Sequence, residues 1–201
     1  MRSYLEQLKI EEADQVLVVA DGARWIWKRV EGLLRGLKVD GQKIHQAVDF
    51  YHAMQHLGSL ADLAGCFSDK QKKKWLKVQS KRLLAGETEE VVAELEGLAA
   101  AKPSPKMSAE LGYFVKHGRE HRRMEYAALA KAGLPLGSGA IESAVRRVIN
   151  LRLKGAGIFW HKPSAEAMLL LRCFAKAGRL QQLHSLAFAA PALQARAADK
   201  P

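Results

Sequence analysis

The chain has 201 residues and a formal net charge of +11, with 32 lysine and arginine residues against 21 aspartate and glutamate residues. This length allows one or two modest domains with a buried core, and the excess of positive charge indicates a polyanionic partner, with nucleic acid as the leading candidate. A charged N-terminus and the lack of a long apolar run predict a cytoplasmic protein without a signal peptide or a membrane span.

The first predicted elements form a βαβ unit. Residues 16–20 (VLVVA) are typical of a buried strand, residues 23–37 have apolar side chains at helical spacing, and residues 43–48 predict a second, weaker strand. Strands joined in this way are parallel, so Asp21 and Asp49, which follow the two strands, are expected at the same edge of the sheet.

The rest of the chain is predicted to be helical. A Gly-Ser-Gly turn at residues 137–139 leads into a helix with Glu142 in its first turn. Thr88 is expected to cap the helix that it begins, and the alanine-rich chain after His184 is expected to fray. The apolar periodicity predicts further helices over residues 50–66, 69–84, 88–101, 108–132 and 164–178.

Three carboxylates are candidates for chemistry. Asp21 and Asp49 occupy the position where open α/β sheets hold their sites, and a helix packed across the sheet edge could add Glu142. Such a group suits Mg²⁺ or Mn²⁺, and a pair of these ions can activate water or a 3′-hydroxyl for phosphodiester cleavage or transfer. For any one aspartate, the alternative is a turn former that ends a strand.

Histidines and glycines near these carboxylates match no standard motif. The HAMQH segment from His52 to His56 lacks the glutamate of a zinc-protease helix, so a structural histidine bonded to the sheet is favoured over a metal ligand. The Gly-Ser-Gly turn is neither a P-loop nor a dinucleotide fingerprint. It is either a backbone nest near a phosphate or a tight turn.

Basic residues follow Glu142 in the same helical pattern. They could hold DNA phosphates, or they could form a solvated basic face. Trp160, which follows a loop, could stack on a base, although aromatic residues more often belong to a core. The basic residues are Arg146, Arg147, Arg152 and Lys154.

Three segments together resemble a known family. They are ADGARWIW (20–27), VDFYHAMQHL (48–57) and RRMEYAALAKAGLPLGSGAIESAVRRVINLRLKGAGIFW (122–160). In this order they resemble bacterial insertion-sequence transposases of the Mutator-like DDE class, in particular the ISKra group. The resemblance implies an α/β, RNase H-like catalytic core with an Asp-Asp-Glu triad that binds two Mg²⁺ or Mn²⁺ ions, and a helical insertion before the Glu.

The resemblance also assigns roles to individual residues. Asp21 matches the second Asp of the triad and Glu142 matches the Glu, so these two are the expected catalytic and metal-binding residues. Asp49 and His52 match a pair that supports the site. The positions that the resemblance implies for DNA contact, or for steadying the Glu helix, are Arg146, Arg152, Lys154 and Trp160.

The chain departs from the family pattern at its start. The first Asp of the triad lies on the first strand of the core, upstream of Asp21, and Asp14 cannot replace it because it precedes the strand that Asp21 ends. We therefore expect a partial RNase H-like fold without its first three strands and with one exposed strand edge. The expected segments are core strands over 1–52, a helical insertion over 53–135, the Glu helix and closing helices over 136–178, and a flexible tail over 179–201.

Three hypotheses about function follow. The leading one is the carboxy-terminal part of a truncated or frameshifted DDE transposase, which in its complete form would act as a homo-oligomer on terminal-repeat and target DNA. We expect no catalysis from this chain alone. The second is a non-catalytic regulatory fragment that binds DNA or full-length transposase, and the third is a self-sufficient nuclease site made of Asp21, Asp49 and Glu142.

Overall fold

The computed structural model describes residues 2–188. The chain divides into two compact units, an N-terminal unit, Met1–Ser138, and a C-terminal unit, Gly139–Pro201. Most described residues are helical, and the strands form one two-stranded parallel sheet, which is compatible with a mixed α/β protein.

The N-terminal unit contains both strands and seven α-helices among its described residues. A π-helical segment, Val115–Glu120, follows the sixth helix directly. The elements are α1 (Arg2–Gln7), β1 (Val16–Ala20), α2 (Arg24–Gly36), β2 (Ile44–Val48), α3 (Phe50–Ala64), α4 (Asp69–Ala85), α5 (Thr88–Ala101), α6 (Pro105–Phe114) and α7 (Tyr126–Lys131).

The βαβ prediction is confirmed. β1 and β2 pair in parallel, in a register that runs from Val16 opposite Ile44 to Ala20 opposite Val48. α2 connects them and buries Trp27 on its apolar face. Apolar side chains at helical spacing therefore mark the face of the connecting helix that packs inward.

The larger of two hydrophobic clusters joins β2 to the helices. Ala47 and Val48 of β2 belong to the same buried cluster as Trp27 of α2 and the apolar faces of α3, α5 and α6. The members of this cluster that are fully buried include Leu57, Leu60, Leu83, Val91, Leu95, Met107, Phe114 and Tyr126.

The predicted helix over 108–132 is wrong. α6 ends at Phe114, a π-helical segment follows, and residues 121–125 leave the helix, with Arg122 at φ +50°. This break lets the Arg123 carbonyl accept a hydrogen bond from the Val48 N–H at 2.9 Å, and the Tyr126 hydroxyl donates to the Val48 carbonyl at 3.1 Å. The backbone groups at the outer edge of β2 are thereby satisfied at Val48.

The capping role predicted for Thr88 is also wrong. Glu87 occupies the position before α5, and the Thr88 hydroxyl instead donates to the Met124 carbonyl at 3.2 Å. Thr88 thus ties α5 to the interrupted segment after α6, a contact between residues far apart in the chain.

The C-terminal unit is helical and, among the residues described, contributes no buried side chain. A π-helical segment, Arg146–Asn150, separates two of its helices. The tail predicted to be flexible from residue 179 is helical over 180–188, and residues 189–201 lie outside the described part. The helices of this unit are α8 (Gly139–Val145), α9 (Leu151–Leu153) and α10 (Lys162–Lys176). α10 begins and ends two residues earlier than the predicted helix over 164–178.

The length and composition of the helices bear on the membrane prediction. Among residues 2–188, none of the helices combines the length and the apolar content that crossing a bilayer requires.

Candidate functional site

Asp21 and Asp49 follow the paired ends of the two strands. Ala20 lies opposite Val48 in the parallel register, and the Asp49 N–H donates to the Ala20 carbonyl at 2.9 Å. The two aspartates therefore lie at one edge of the sheet, as the βαβ pattern predicts.

The Asp49 carboxylate is buried and fully engaged. Its Oδ1 accepts from the His52 N–H at 2.9 Å, which caps α3. Its Oδ2 accepts from both the backbone N–H (2.5 Å) and the hydroxyl (2.7 Å) of Ser138. Burial alone raises the pKa of Asp49, but hydrogen bonds from Ser138, His52 and Tyr51 outweigh it, so the pKa lies below its usual value. Asp49 is thus an ionised group, and both of its oxygens hold backbone or side-chain groups of the segments around it.

The Gly-Ser-Gly turn lies close against this carboxylate. A Cβ at Gly137 would lie 3.0 Å from Asp49 Oδ2 and 3.1 Å from Tyr51 Cδ2. Just before the turn, the Leu136 carbonyl accepts from the Phe50 N–H at 3.0 Å. The close approach of the turn to the start of α3 therefore favours glycine at position 137.

The Asp21 carboxylate is exposed, in contrast to that of Asp49. Its Oδ1 accepts from the Ala23 N–H at 3.0 Å, and its backbone carbonyl accepts from the Tyr113 hydroxyl at 3.3 Å. Gly22, which lies between Asp21 and Ala23, has φ +98°, and a Cβ there would lie 2.7 Å from Tyr113 Cε2. The Asp21 side chain is consequently held at the sheet edge while one of its oxygens, Oδ2, accepts no hydrogen bond from the described residues.

His52 and His56 form a cluster with α6. His56 Nδ1 lies 2.6 Å from Glu110 Oε2, and the Nε2 atoms of the two histidines are 3.3 Å apart. The Tyr113 ring stacks on His56 with centroids 3.8 Å apart. The prediction that a histidine here bonds the sheet is therefore wrong, because these side chains join α3 to α6.

Tyr113 is the residue at this edge that sequence reasoning missed. Burial and the negative charges of Asp21, Asp49 and Glu110 raise the pKa of its phenol, so it stays protonated and can donate to Asp21. In the sequence Tyr113 lies in a helical pattern, where an aromatic residue indicates a core position. Its contact with Asp21 spans 92 residues of chain and has no local signal.

The other predicted site residues lie in the C-terminal unit. Glu142 lies in the first turn of α8, as predicted, and it is exposed. Trp160 is 38% exposed, whereas its neighbour Phe159 is 95% exposed. The four predicted DNA-binding cations are all exposed: Arg146, Arg147, Arg152 and Lys154.

Among residues 2–188, His, Cys, Asp and Glu side chains form no group of three or more that could hold a metal ion. Asp21 offers one carboxylate oxygen, while both oxygens of Asp49 are taken by hydrogen bonds. Metal binding by Asp21 and Glu142, and the self-sufficient nuclease site made of Asp21, Asp49 and Glu142, therefore stay predictions.

Comparison of the chain with protein-family models, with curated proteins and with solved structures found no match.

Proposed function

We propose that the chain is part of a DDE-type transposase, in which Asp21 and Glu142 are two members of an Asp-Asp-Glu triad on an RNase H-like core. In this proposal the helices between Asp49 and the Gly-Ser-Gly turn are the family's helical insertion. The complete triad would hold two Mg²⁺ or Mn²⁺ ions, which supply the Lewis acid for phosphodiester cleavage and transfer.

The observation that carries the proposal is the bond between Asp49 and Ser138. It holds the Gly-Ser-Gly turn against the end of β2, at the sheet edge where Asp21 follows β1. Glu142 follows Ser138 by four residues in the sequence. A supporting role for Asp49 agrees with its engaged oxygens, and an exposed Asp21 agrees with a role as ligand.

Exposed cations support DNA as the substrate. Arg146, Arg147, Arg152 and Lys154 all follow the Glu142 helix in the sequence, and their side chains are exposed in the C-terminal unit. A run of exposed cations of this kind neutralises backbone phosphates without reading their sequence.

The test begins with the DNA around the coding sequence. We expect inverted terminal repeats there, and an upstream coding segment with a strand that ends in the remaining Asp. Protein expressed with that segment is expected to nick terminal-repeat DNA in Mg²⁺, and Asp21→Asn or Glu142→Gln is expected to lower nicking by at least about 100-fold.

The matched control is Asp14→Asn, which changes an exposed aspartate just before the N-terminal end of β1. This variant is expected to leave nicking unchanged. Nicking that survives both Asp21→Asn and Glu142→Gln would contradict the proposal, as would the absence of terminal repeats.

A second candidate function is a non-catalytic fragment that binds DNA or full-length transposase. The exposed cations of the C-terminal unit, which need no metal ion to hold DNA phosphates, favour it. It predicts salt-dependent retention of this chain on DNA that is unchanged in the double variant Asp21→Asn/Glu142→Gln, without metal-dependent nicking in any form. No retention at low salt would exclude DNA binding by the fragment.

A further inference from the structure

A basic cavity of about 260 Å³ lies in the N-terminal unit, between α2 and the π-helical segment Val115–Glu120. The Trp27 side chain forms part of its wall. Glu31, the one carboxylate that lines it, is paired with Arg35 at 2.8 Å. The cations and the histidine that line it are Arg24, Lys28, Lys116, His121 and Arg123.

Arg123 is the buried cation of this cavity. Its side chain lies over the Trp27 ring with Cζ 4.1 Å from the ring centroid, and its Nε donates to Gln46 Oε1 at 2.9 Å. The residue is only 9% exposed, and none of the ion pairs in the described part of the chain includes it. The charge of Glu31 raises the pKa of Arg123, but burial outweighs it and lowers that pKa, so an anion at this place would stabilise the buried charge.

The terminal nitrogens of Arg123 are incompletely bonded. Nη1 lies 3.4 Å from His117 Nδ1, and Nη2 has no hydrogen-bond partner among the described residues. Burial and the positive charges of Arg123, Lys116 and His121 lower the pKa of His117 to about 4, so this histidine is neutral and can accept from Arg123. The same shift reflects an electropositive environment, in which Glu31 is the carboxylate that raises the pKa of Arg123.

Trp27 adds a second unsatisfied group. Its indole N–H is buried without an acceptor among the described residues. Buried donors are normally paired, so an unpaired indole N–H beside an incompletely bonded guanidinium is consistent with a missing acceptor.

We propose that this cavity is a phosphate-binding site, in which Arg123 presents its guanidinium to the phosphate while Arg24, Lys28 and Lys116 neutralise its charge. Arginine suits this role because its planar fork matches two phosphate oxygens, and lysines add point charges. The site shares no residue with the Asp21 and Glu142 assignment and does not depend on transposase activity.

Titration with inorganic phosphate at constant ionic strength tests the site, with binding followed by calorimetry or by ³¹P line width. Saturable binding is expected for the wild-type chain. The double variant Arg24→Ala/Lys28→Ala, which changes two exposed side chains of α2, is expected to weaken it at least tenfold, and Lys116→Ala should weaken it independently.

The matched control is Arg29→Ala, an exposed arginine of α2 that does not line the cavity, and it should change the affinity less than twofold. Thermal melts of each variant verify folding. No saturable binding by the wild type, or equal losses in Arg29→Ala and the double variant, would overturn the proposal.

A competition experiment identifies the source of the phosphate. A short 5′-phosphorylated single-stranded oligonucleotide that displaces inorganic phosphate, and that binds more weakly to Arg24→Ala/Lys28→Ala, assigns the site to nucleic acid. If the oligonucleotide does not displace bound inorganic phosphate, the site is assigned to free phosphate. Both results support a phosphate site.

Discussion

The two units use the same apolar residue types in opposite ways. In the N-terminal unit, Leu57, Leu60 and Phe114 are fully buried, whereas in the C-terminal unit Leu151 is 61% exposed and Phe159 is 95% exposed. Because burial of apolar surface is the main favourable contribution to folding, the N-terminal unit has a core that can stabilise it. The described residues of the C-terminal unit provide no such core, so the comparison predicts different responses to equivalent substitutions.

The largest difference is expected for one substitution made in both units. Phe114→Ala removes a fully buried ring and should lower the free energy of unfolding by about 3–5 kcal/mol, from lost transfer energy and the cavity left behind. Phe159→Ala should change it by less than about 0.5 kcal/mol. Urea unfolding followed by circular dichroism measures both, and equal effects would contradict the contrast between the units.

Two carboxylates give the next comparison. Asp49→Asn weakens charge-assisted hydrogen bonds to Ser138 and His52 and should cost about 2–3 kcal/mol at pH 7, whereas Glu142→Gln, at an exposed position, should cost less than about 1 kcal/mol.

The Asp49 contribution should also depend on pH. Since folding lowers the pKa of Asp49, its contribution is complete above the unfolded value of about 3.9 and is lost as the pH falls from there through the folded-state pKa. The stability difference between wild type and Asp49→Asn should therefore shrink between pH 6 and pH 2.5. A constant difference over this range would show that the charge is not involved.

Gly137 and Gly139 flank Ser138, the last residue of the N-terminal unit, and the same substitution at each is expected to have a different effect. Gly137→Ala places a Cβ 3.0 Å from Asp49 Oδ2 and should destabilise the protein by about 1–2 kcal/mol. Gly139→Ala meets no atom within 4 Å at the start of α8 and should be neutral or slightly stabilising. Thermal melts of the pair measure this difference, and a larger loss for Gly139→Ala would contradict it.

The smallest expected effect is on the affinity of the chain for DNA. If the C-terminal unit carries the phosphate contacts, Arg146→Ala and Arg152→Ala should each weaken binding of any duplex and lower the slope of log affinity against log salt by about 1. Lys74→Ala, an exposed lysine of α4, should leave the slope unchanged. Fluorescence anisotropy at several salt concentrations checks this, and a loss confined to Lys74→Ala would move the interface to the N-terminal unit.

Local sequence patterns predict the secondary-structure elements of the βαβ unit. The interruption of the predicted helix over 108–132 depends instead on contacts between residues far apart in the chain. The VLVVA run and the helical spacing after it predict β1, α2 and the sheet edge that Asp21 and Asp49 share, because these features depend on near neighbours. The break at 121–125 was missed because the Arg123 carbonyl pairs with Val48, far away in the sequence.

Prediction of the candidate site from the sequence is limited in the same way. The sequence placed Asp21, Asp49 and Glu142 on their elements, but it left open whether Asp49 binds metal or holds structure. The contacts from Ser138 favour structure, and no local pattern could show them because they join residues 89 positions apart. The Tyr113 contact with Asp21 was missed for the same reason.

The pairing of Val48 with Arg123 has a consequence for how the sheet can grow. A strand from another segment or molecule that runs the full length of β2 would have to displace the Arg123 carbonyl and the Tyr126 hydroxyl. Among residues 2–188 no third strand pairs with β1, so β1 is the side on which the sheet can template an added strand. A parallel strand added there would bring its carboxyl end beside Asp21.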